Sequence, residues 1–98
     1  MLNIPIEPLP NQSLTVNIGE DRWSITLKAA NTSVVADISV NDVVLVQGQR
    51  IAVGTPILPY EYLQGSGNFL LLVDDDALPD YTLFGSNQAL VYVAPGGI

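Results

Sequence analysis

The feature that most constrains the fold is the alternation of apolar and polar residues along short runs. The run "SLTVNIG" from Ser13 and the run "RWSITLKA" from Arg22 both place an apolar side chain at every second position. A period of two residues is typical of a half-buried β-strand, whose successive side chains point to opposite faces. Turn-forming residues at 19–21 separate the two runs, so we predict a hairpin with matching apolar faces.

The remaining apolar runs are equally short. Strands are predicted for "VVADISV" from Val34, "VVLVQG" from Val43, "NFLLLV" from Asn68 and "QALVYV" from Gln88, and a further short one for "QRIAVG" up to Gly54. "NFLLLV" has no alternation, which favours burial on both faces. No window supports a long amphipathic helix. The fold class predicted is all-β, a small antiparallel β-sandwich or partly closed barrel of six to seven short strands.

The chain has the length of one domain, with 98 residues. We therefore predict a single β-domain over residues 1–98. Prolines 5, 8 and 10 disfavour a helix, so residues 1–12 are expected to form an extended lead-in. The "APGGI" end, residues 94–98, is expected to be a short flexible tail.

The charge of the chain excludes two classes of partner. Its net charge is −7 and it contains only three basic residues. Binding to nucleic acid or to an anionic membrane requires Lys and Arg side chains, so neither partner is expected. Charged residues make up 13% of the chain, against roughly 25% in ordinary domains. Part of such a surface is suited to burial against other subunits.

Catalytic side chains are scarce. The chain has no histidine and no cysteine. A serine–lysine nucleophile would have to use Lys28, which occupies an outward strand position. We therefore predict that the protein is not an enzyme and has no catalytic or cofactor-binding residues.

Four aspartates are concentrated in "VDDDALPDYTLFGS", at positions 74, 75, 76 and 80. An EF-hand loop starting at Asp74 would need glycine where Pro79 stands, so that type of calcium site is excluded. An irregular calcium site formed by Asp74, Asp76 and Asp80 remains an alternative. We interpret the aspartates as a solvated loop that ends the preceding strand, with no metal ligands.

The residues after these aspartates form a candidate contact surface. Pro79 fixes the backbone, and Tyr81, Leu83 and Phe84 follow on a stretch without charge as far as Ile98. Interfaces favour aromatic side chains at an uncharged centre. The alternative is that Leu83 and Phe84 fold back and cap the core.

Both ends of the chain resemble a known family. The start, "IPIEPLPNQSLTVNIGEDRWSITL", resembles the "IPL-x-P-x-P-N-Q-x-L-x-V-x-L" start of phage baseplate plug proteins, first described in a cyanophage. The end, "PDYTLFGSNQALVYV", is similar to the "P-D-Y-x-x-L-G-x-x-x-L-x-Y" of that family. One departure is Phe84, which stands between Leu83 and Gly85 where the family has leucine directly before glycine.

The resemblance implies a structural component of a contractile phage tail. The protein would fill space between hub, tube-end and wedge proteins of the baseplate, in multiple copies. It would be part of the virion, assembled in the host cytoplasm, without activity or cofactor. The proline-rich start suits contact with neighbours, which adds Ile4, Pro5 and Ile6 to the candidate contact residues. The alternative function is a small carbohydrate-binding β-sandwich module, which would need exposed aromatic side chains along one face.

Overall fold

The computed structural model describes residues 2–30, 33–58, 65–73 and 79–95. Within these ranges the chain forms a short 3₁₀ turn at Tyr81–Leu83 and strands β1 to β7, which are Leu2–Ile4, Asn11–Ile18, Asp21–Ala30, Ser33–Val40, Val43–Arg50, Asn68–Val73 and Gln88–Val93. The same ranges contain no helix that is long and apolar enough to span a membrane.

The strands form two antiparallel sheets. One sheet has the order β2-β3-β4-β5, and the other has the order β1-β7-β6. The four-stranded sheet is a meander, because each strand pairs with the next one in the chain. The predicted all-β class, the antiparallel arrangement and the strand number are therefore confirmed, and the two sheets form a sandwich rather than a closed barrel.

Local sequence chemistry accounts for the hairpins of the meander. In the β2–β3 hairpin, Val16 pairs with Trp23, which confirms the predicted match of apolar faces. Gly19 in the connecting turn has a φ of 60°, a left-handed conformation that glycine adopts without strain. Asn41 and Asp42 connect β4 to β5 with φ values of 51° and 68°. Two successive left-handed residues are what a tight hairpin turn requires, and Asn and Asp tolerate that conformation better than most residues.

The core lies between the two sheets. The four-stranded sheet contributes its alternate apolar residues, and the three-stranded sheet contributes the inward side chains of β6 and β7. Trp23 is completely buried, and its ring meets that of Phe69 edge to face, with centroids 4.9 Å apart. This aromatic pair connects β3 of one sheet with β6 of the other and shows that Trp23 is a core residue.

Strand β6 differs from the prediction. Phe69 and Leu71 are buried, but Leu72 is 38% exposed and Leu70 is half-buried. The prediction of burial on both faces was therefore wrong. The reason is that Phe69 and Leu71 face the core, whereas Leu70 and Leu72 alternate with them on the opposite face of the sheet, which is only partly covered.

Two strand boundaries also differ from the prediction. "QRIAVG" is not a separate strand, because β5 continues to Arg50 and the chain then leaves the sheet at Ile51, which is buried. Strand β1 occupies Leu2–Ile4 within the predicted lead-in, where it pairs with β7. Its pairing partner is about 90 residues away in sequence, a contact that local periodicity does not encode.

Candidate interaction surface

The candidate contact loop is held by Asp80 at its start. The Asp80 carboxylate accepts hydrogen bonds from the backbone N–H of Thr82 at 3.0 Å and from its hydroxyl at 2.8 Å. The carboxylate thus caps the 3₁₀ turn Tyr81–Leu83. Ser86 closes the other end by donating its hydroxyl hydrogen to the Leu83 carbonyl. The loop therefore has a defined conformation, as a preformed contact surface would need.

Gln88 fixes this loop to the three-stranded sheet. Its side chain is completely buried at the start of β7, and its Oε1 accepts a hydrogen bond from Asp80 N at 2.8 Å. Its backbone carbonyl accepts a second bond from Gly85 N at 2.9 Å. Sequence reasoning did not select Gln88, because a glutamine at a strand start carries no pattern that distinguishes it from a solvent-exposed one.

The structure divides the six candidate contact residues into two groups. Ile4, Ile6 and Phe84 are at most 7% exposed and belong to the core cluster. Tyr81 and Leu83 are half-buried, and Pro5 is exposed. Phe84 thus caps the core, as the alternative interpretation held, while Tyr81, Leu83 and Pro5 present accessible surface.

The loop and the lead-in meet on the same side of the molecule. Gly85 has a φ of 83°, and a Cβ atom there would lie 2.9 Å from the Ile6 carbonyl oxygen. Glycine is therefore required on two counts, conformation and space. The close approach of Gly85 to Ile6 brings the contact loop next to the lead-in, which is far from it in sequence.

A groove continues this surface from the lead-in to β2. It has a volume of about 540 Å³, and its lining includes Pro5, Glu7, Leu9 and Leu14. Gln12 holds the lead-in in place, since its side chain accepts from Glu7 N at 3.0 Å and donates to Glu7 O at 2.6 Å. The side-chain amide of Gln12 thus attaches the lead-in, which forms one wall of the groove, to β2.

A third side-chain carboxamide also attaches an irregular segment to a strand, in this case a strand of the three-stranded sheet. Asn68 is 2% exposed, and its side chain accepts a hydrogen bond from Leu58 N at 2.9 Å and donates one to Leu58 O at 3.0 Å. In each of these three places, a side-chain amide forms the hydrogen bonds that the backbone of a neighbouring strand would form in a sheet. The residues are Gln12, Asn68 and Gln88, and each holds an irregular segment of the chain. Neutral amides can do this in a buried site at a lower desolvation cost than charged groups.

Two ion pairs are found among the residues that the structure describes. Arg22 lies 2.6 Å from Asp42, and Lys28 lies 3.3 Å from Asp37. A backbone hydrogen bond from Gly48 N and the nearby Lys28 lower the pKa of Asp37, although partial burial opposes this. Two of the three basic side chains thus already have an acidic neighbour, and the surface as a whole remains negative.

The metal alternative finds no further support in the part of the chain that is described. No group of three metal-binding side chains occurs in those ranges. Asp80 uses its carboxylate to cap the 3₁₀ turn. Asp74, Asp75 and Asp76 lie outside the described residues, so the loop interpretation of these three stays a prediction.

The aromatic side chains bear on the carbohydrate alternative. Trp23, Phe69 and Phe84 are buried, whereas Tyr81 and Tyr92 are half-buried. Within the described ranges, no aromatic ring is fully exposed to serve as a stacking platform. Tyr60 and Tyr62 lie outside those ranges.

Comparison with known proteins identifies one family. The family model described as "Cyanophage baseplate Pam3 plug gp18" matches residues 1–95. No curated protein matches the chain.

Proposed function

Because the chain belongs to the cyanophage baseplate plug family, whose role is structural, we propose that it fills space between hub, tube-end and wedge proteins of a contractile tail. The family match over residues 1–95 is the single observation that carries this proposal. It also supports a location in the virion and a role without catalytic activity, and we further propose assembly in the host cytoplasm and multiple copies per baseplate.

The accessible part of the candidate surface supports contact with protein. Tyr81 and Leu83 are half-buried on a loop that hydrogen bonds hold in one conformation, and Pro5 lies exposed on the adjoining lead-in. A rigid surface loses little conformational entropy on binding. Aromatic side chains at an uncharged centre are also typical of protein interfaces. We therefore assign the contact to Tyr81, Leu83 and Pro5, supported from below by the buried Phe84, Ile4 and Ile6.

Gold labelling of purified contractile tails tests the location. An antibody raised against the purified chain should mark the baseplate end of each tail. Label along the sheath, or tails without label while the chain remains in the soluble fraction, would contradict the proposal.

A second experiment tests the contact residues. The double variant Tyr81→Ser with Leu83→Ser should remain folded by circular dichroism, with a lowered melting temperature because Tyr81 packs against the core cluster, and it should enter baseplates less efficiently. Asn87→Ala, an exposed position in the same loop, is the matched control and should enter normally. If the double variant enters as well as wild type, this loop is not the contact.

A further inference from the structure

Strand β2 has an outer edge without a partner strand in the described part of the chain. It is the terminal strand of its sheet and pairs only with β3. Pro10 O accepts a hydrogen bond from Ala29 N at 2.7 Å, which shows that position 10 bonds toward β3. Because bonding direction alternates along an antiparallel strand, the even positions of β2 also bond toward β3. The backbone N–H and C=O groups of Asn11, Ser13, Thr15 and Asn17 therefore point outward.

The four outward residues are all exposed. Their side chains are uncharged, and β2 contains no charge, proline or glycine along Asn11–Ile18. Its register with β3 is unbroken from Asn11 to Ile18. Proteins usually protect a long flat edge with Lys, Pro or a bulge, because such an edge binds other strands. β2 has none of these protections.

The other sheet edges differ from β2. The pairing of β5 with β4 contains register shifts near Ile38, and Gly48 in β5 has a φ of 64°. The edge of β6 is covered, since Gly54 N and Ile57 N donate to carbonyl oxygens of that strand. β1 is only three residues long. Within the described ranges, β2 is thus the one long, regular and uncovered edge.

The row of outward groups also specifies the chemistry of its occupant. Four residues spaced two apart present alternating donors and acceptors over the length of the strand, and only another extended backbone matches that spacing. The groove beside the start of β2, with Pro5, Leu9 and Leu14 in its lining, offers an apolar site for one side chain of that segment.

Charge argues against a second copy of the chain as the occupant. An antiparallel pairing of two β2 strands would place the start of β2 in one copy, where Glu7 is hydrogen-bonded to Gln12, beside the end of β2 in the other, where Glu20 and Asp21 follow. Each copy would also carry a net charge of −7. Like charges at these positions disfavour the pairing, whereas a segment with basic residues near its ends would be attracted.

We propose that the outer edge of β2 receives an extended segment of another baseplate protein, which adds a fifth strand to the four-stranded sheet and carries basic side chains near its ends. This inference rests on the proposed function, because it requires the chain to be assembled among other baseplate proteins.

Hydrogen–deuterium exchange tests this edge. The outward amides of β2 should exchange rapidly in the isolated chain and about ten-fold or more slowly in purified baseplates, because strand addition protects them. The amides of the same strand that bond toward β3 should exchange slowly in both samples. Rapid exchange of the outward amides in baseplates that contain the chain would overturn the edge proposal and leave the proposed function intact. If the chain is never found in baseplates, the proposed function fails and the edge proposal fails with it.

A pair of variants at one position gives an independent test. Thr15→Pro removes an outward N–H that is not bonded to β3, a substitution that edge strands tolerate. Thr15→Ala keeps that N–H and is the matched control. With circular dichroism showing both variants folded, Thr15→Pro should enter baseplates about ten-fold less efficiently, and Thr15→Ala should behave as wild type. Equal entry of both folded variants would contradict the proposal, and if Thr15→Pro does not fold, the exchange experiment decides.

Light scattering of the isolated chain tests whether a second copy of the chain occupies the edge instead. We expect a monomer at concentrations up to about 100 μM, as like-charge repulsion at the paired ends predicts. A dimer in which the outward amides of β2 become protected would show that the occupant is a second copy and would overturn the proposal.

Discussion

Gly67 and Tyr92 lie so close together that a Cβ atom on Gly67 would fall 2.5 Å from the Tyr92 ring. The Tyr92 hydroxyl donates a hydrogen bond of 2.5 Å to the carbonyl oxygen of Ser66, the residue before this glycine. The same ring meets Trp23 and Phe69 edge to face, with centroid separations of 6.1 Å and 5.5 Å. The turn before β6 is thus joined to the aromatic centre of the core through one tyrosine.

Gly67→Ala should destabilise the protein. The φ of Gly67 is 119°, which strains any L-residue, and the added methyl group would displace the Tyr92 ring. We expect a loss of about 2–4 kcal/mol in the free energy of unfolding, measured by urea denaturation. Gly65→Ala, where no atom lies within 4 Å, is the control and should change stability by less than about 0.5 kcal/mol. Similar values for both variants would show that the contact with Tyr92 is unimportant.

Tyr92→Phe should alter the dependence of stability on alkaline pH. Burial, and secondarily the negative charge of Asp21, raises the pKa of Tyr92 above its ordinary value. A raised pKa contributes stability that is complete below about pH 10 and is lost as the pH rises through the folded-state pKa. Wild type should therefore lose stability more steeply above pH 10 than Tyr92→Phe, in urea denaturation over that range. Parallel curves for the two proteins would show that Tyr92 is not the group responsible.

Asn68→Leu should lower the free energy of unfolding by more than the change in side-chain volume would suggest. The substitution removes hydrogen bonds to Leu58 N, Leu58 O and Phe69 N in a buried site. We expect a loss of about 2–5 kcal/mol, because buried polar groups lose their partners. Asn3→Leu, an exposed position on β1 of the same sheet, should change stability by less than about 0.5 kcal/mol. Chemical denaturation of both variants measures the difference, and a neutral Asn68→Leu would refute the role assigned to this side chain.

Asp37→Asn should flatten the acid side of the stability profile. A hydrogen bond from Gly48 N, and then Lys28, lower the pKa of Asp37. A lowered pKa contributes stability above the unfolded-state value of about 3.9, and this contribution is lost as the pH falls through the folded-state pKa. The variant should thus be less stable than wild type at pH 7, by at most about 1 kcal/mol for so exposed a pair. In urea titrations the gap should shrink as the pH falls below the unfolded-state value and through the lowered folded-state pKa, and a gap that widens there would contradict this assignment.

Phe84→Ala and Leu83→Ala should separate the core residue from the surface residue of the contact loop. Phe84 is 3% exposed within the core cluster, so its truncation should cost about 3 kcal/mol or more. Leu83 is half-buried and should cost clearly less. In thermal melts, Phe84→Ala should have the lower melting temperature of the two variants. The reverse order would show that Leu83 is the residue that caps the core.

Much of the fold was determined by local sequence. The alternation in β2, β3 and β4 predicted both the strands and their inward faces, because a half-buried strand has a fixed period of two. The turn residue Gly19 marked the first hairpin, since tight turns require conformations that few residues adopt easily. The scarcity of basic residues, and the absence of histidine and cysteine from the sequence, likewise bounded the function through composition alone.

Only the tertiary structure decided which apolar residues remain available for contact. Phe84 and Leu83 are neighbours in sequence, yet Phe84 is buried in the core cluster and Leu83 is half-buried. The pairing of β1 with β7, and the hydrogen bonds of Gln12, Asn68 and Gln88, also join segments that no local pattern connects. The physical reason is that periodicity specifies which face of a strand is apolar. Whether that face, or the edge of a strand such as β2, is covered depends on long-range packing.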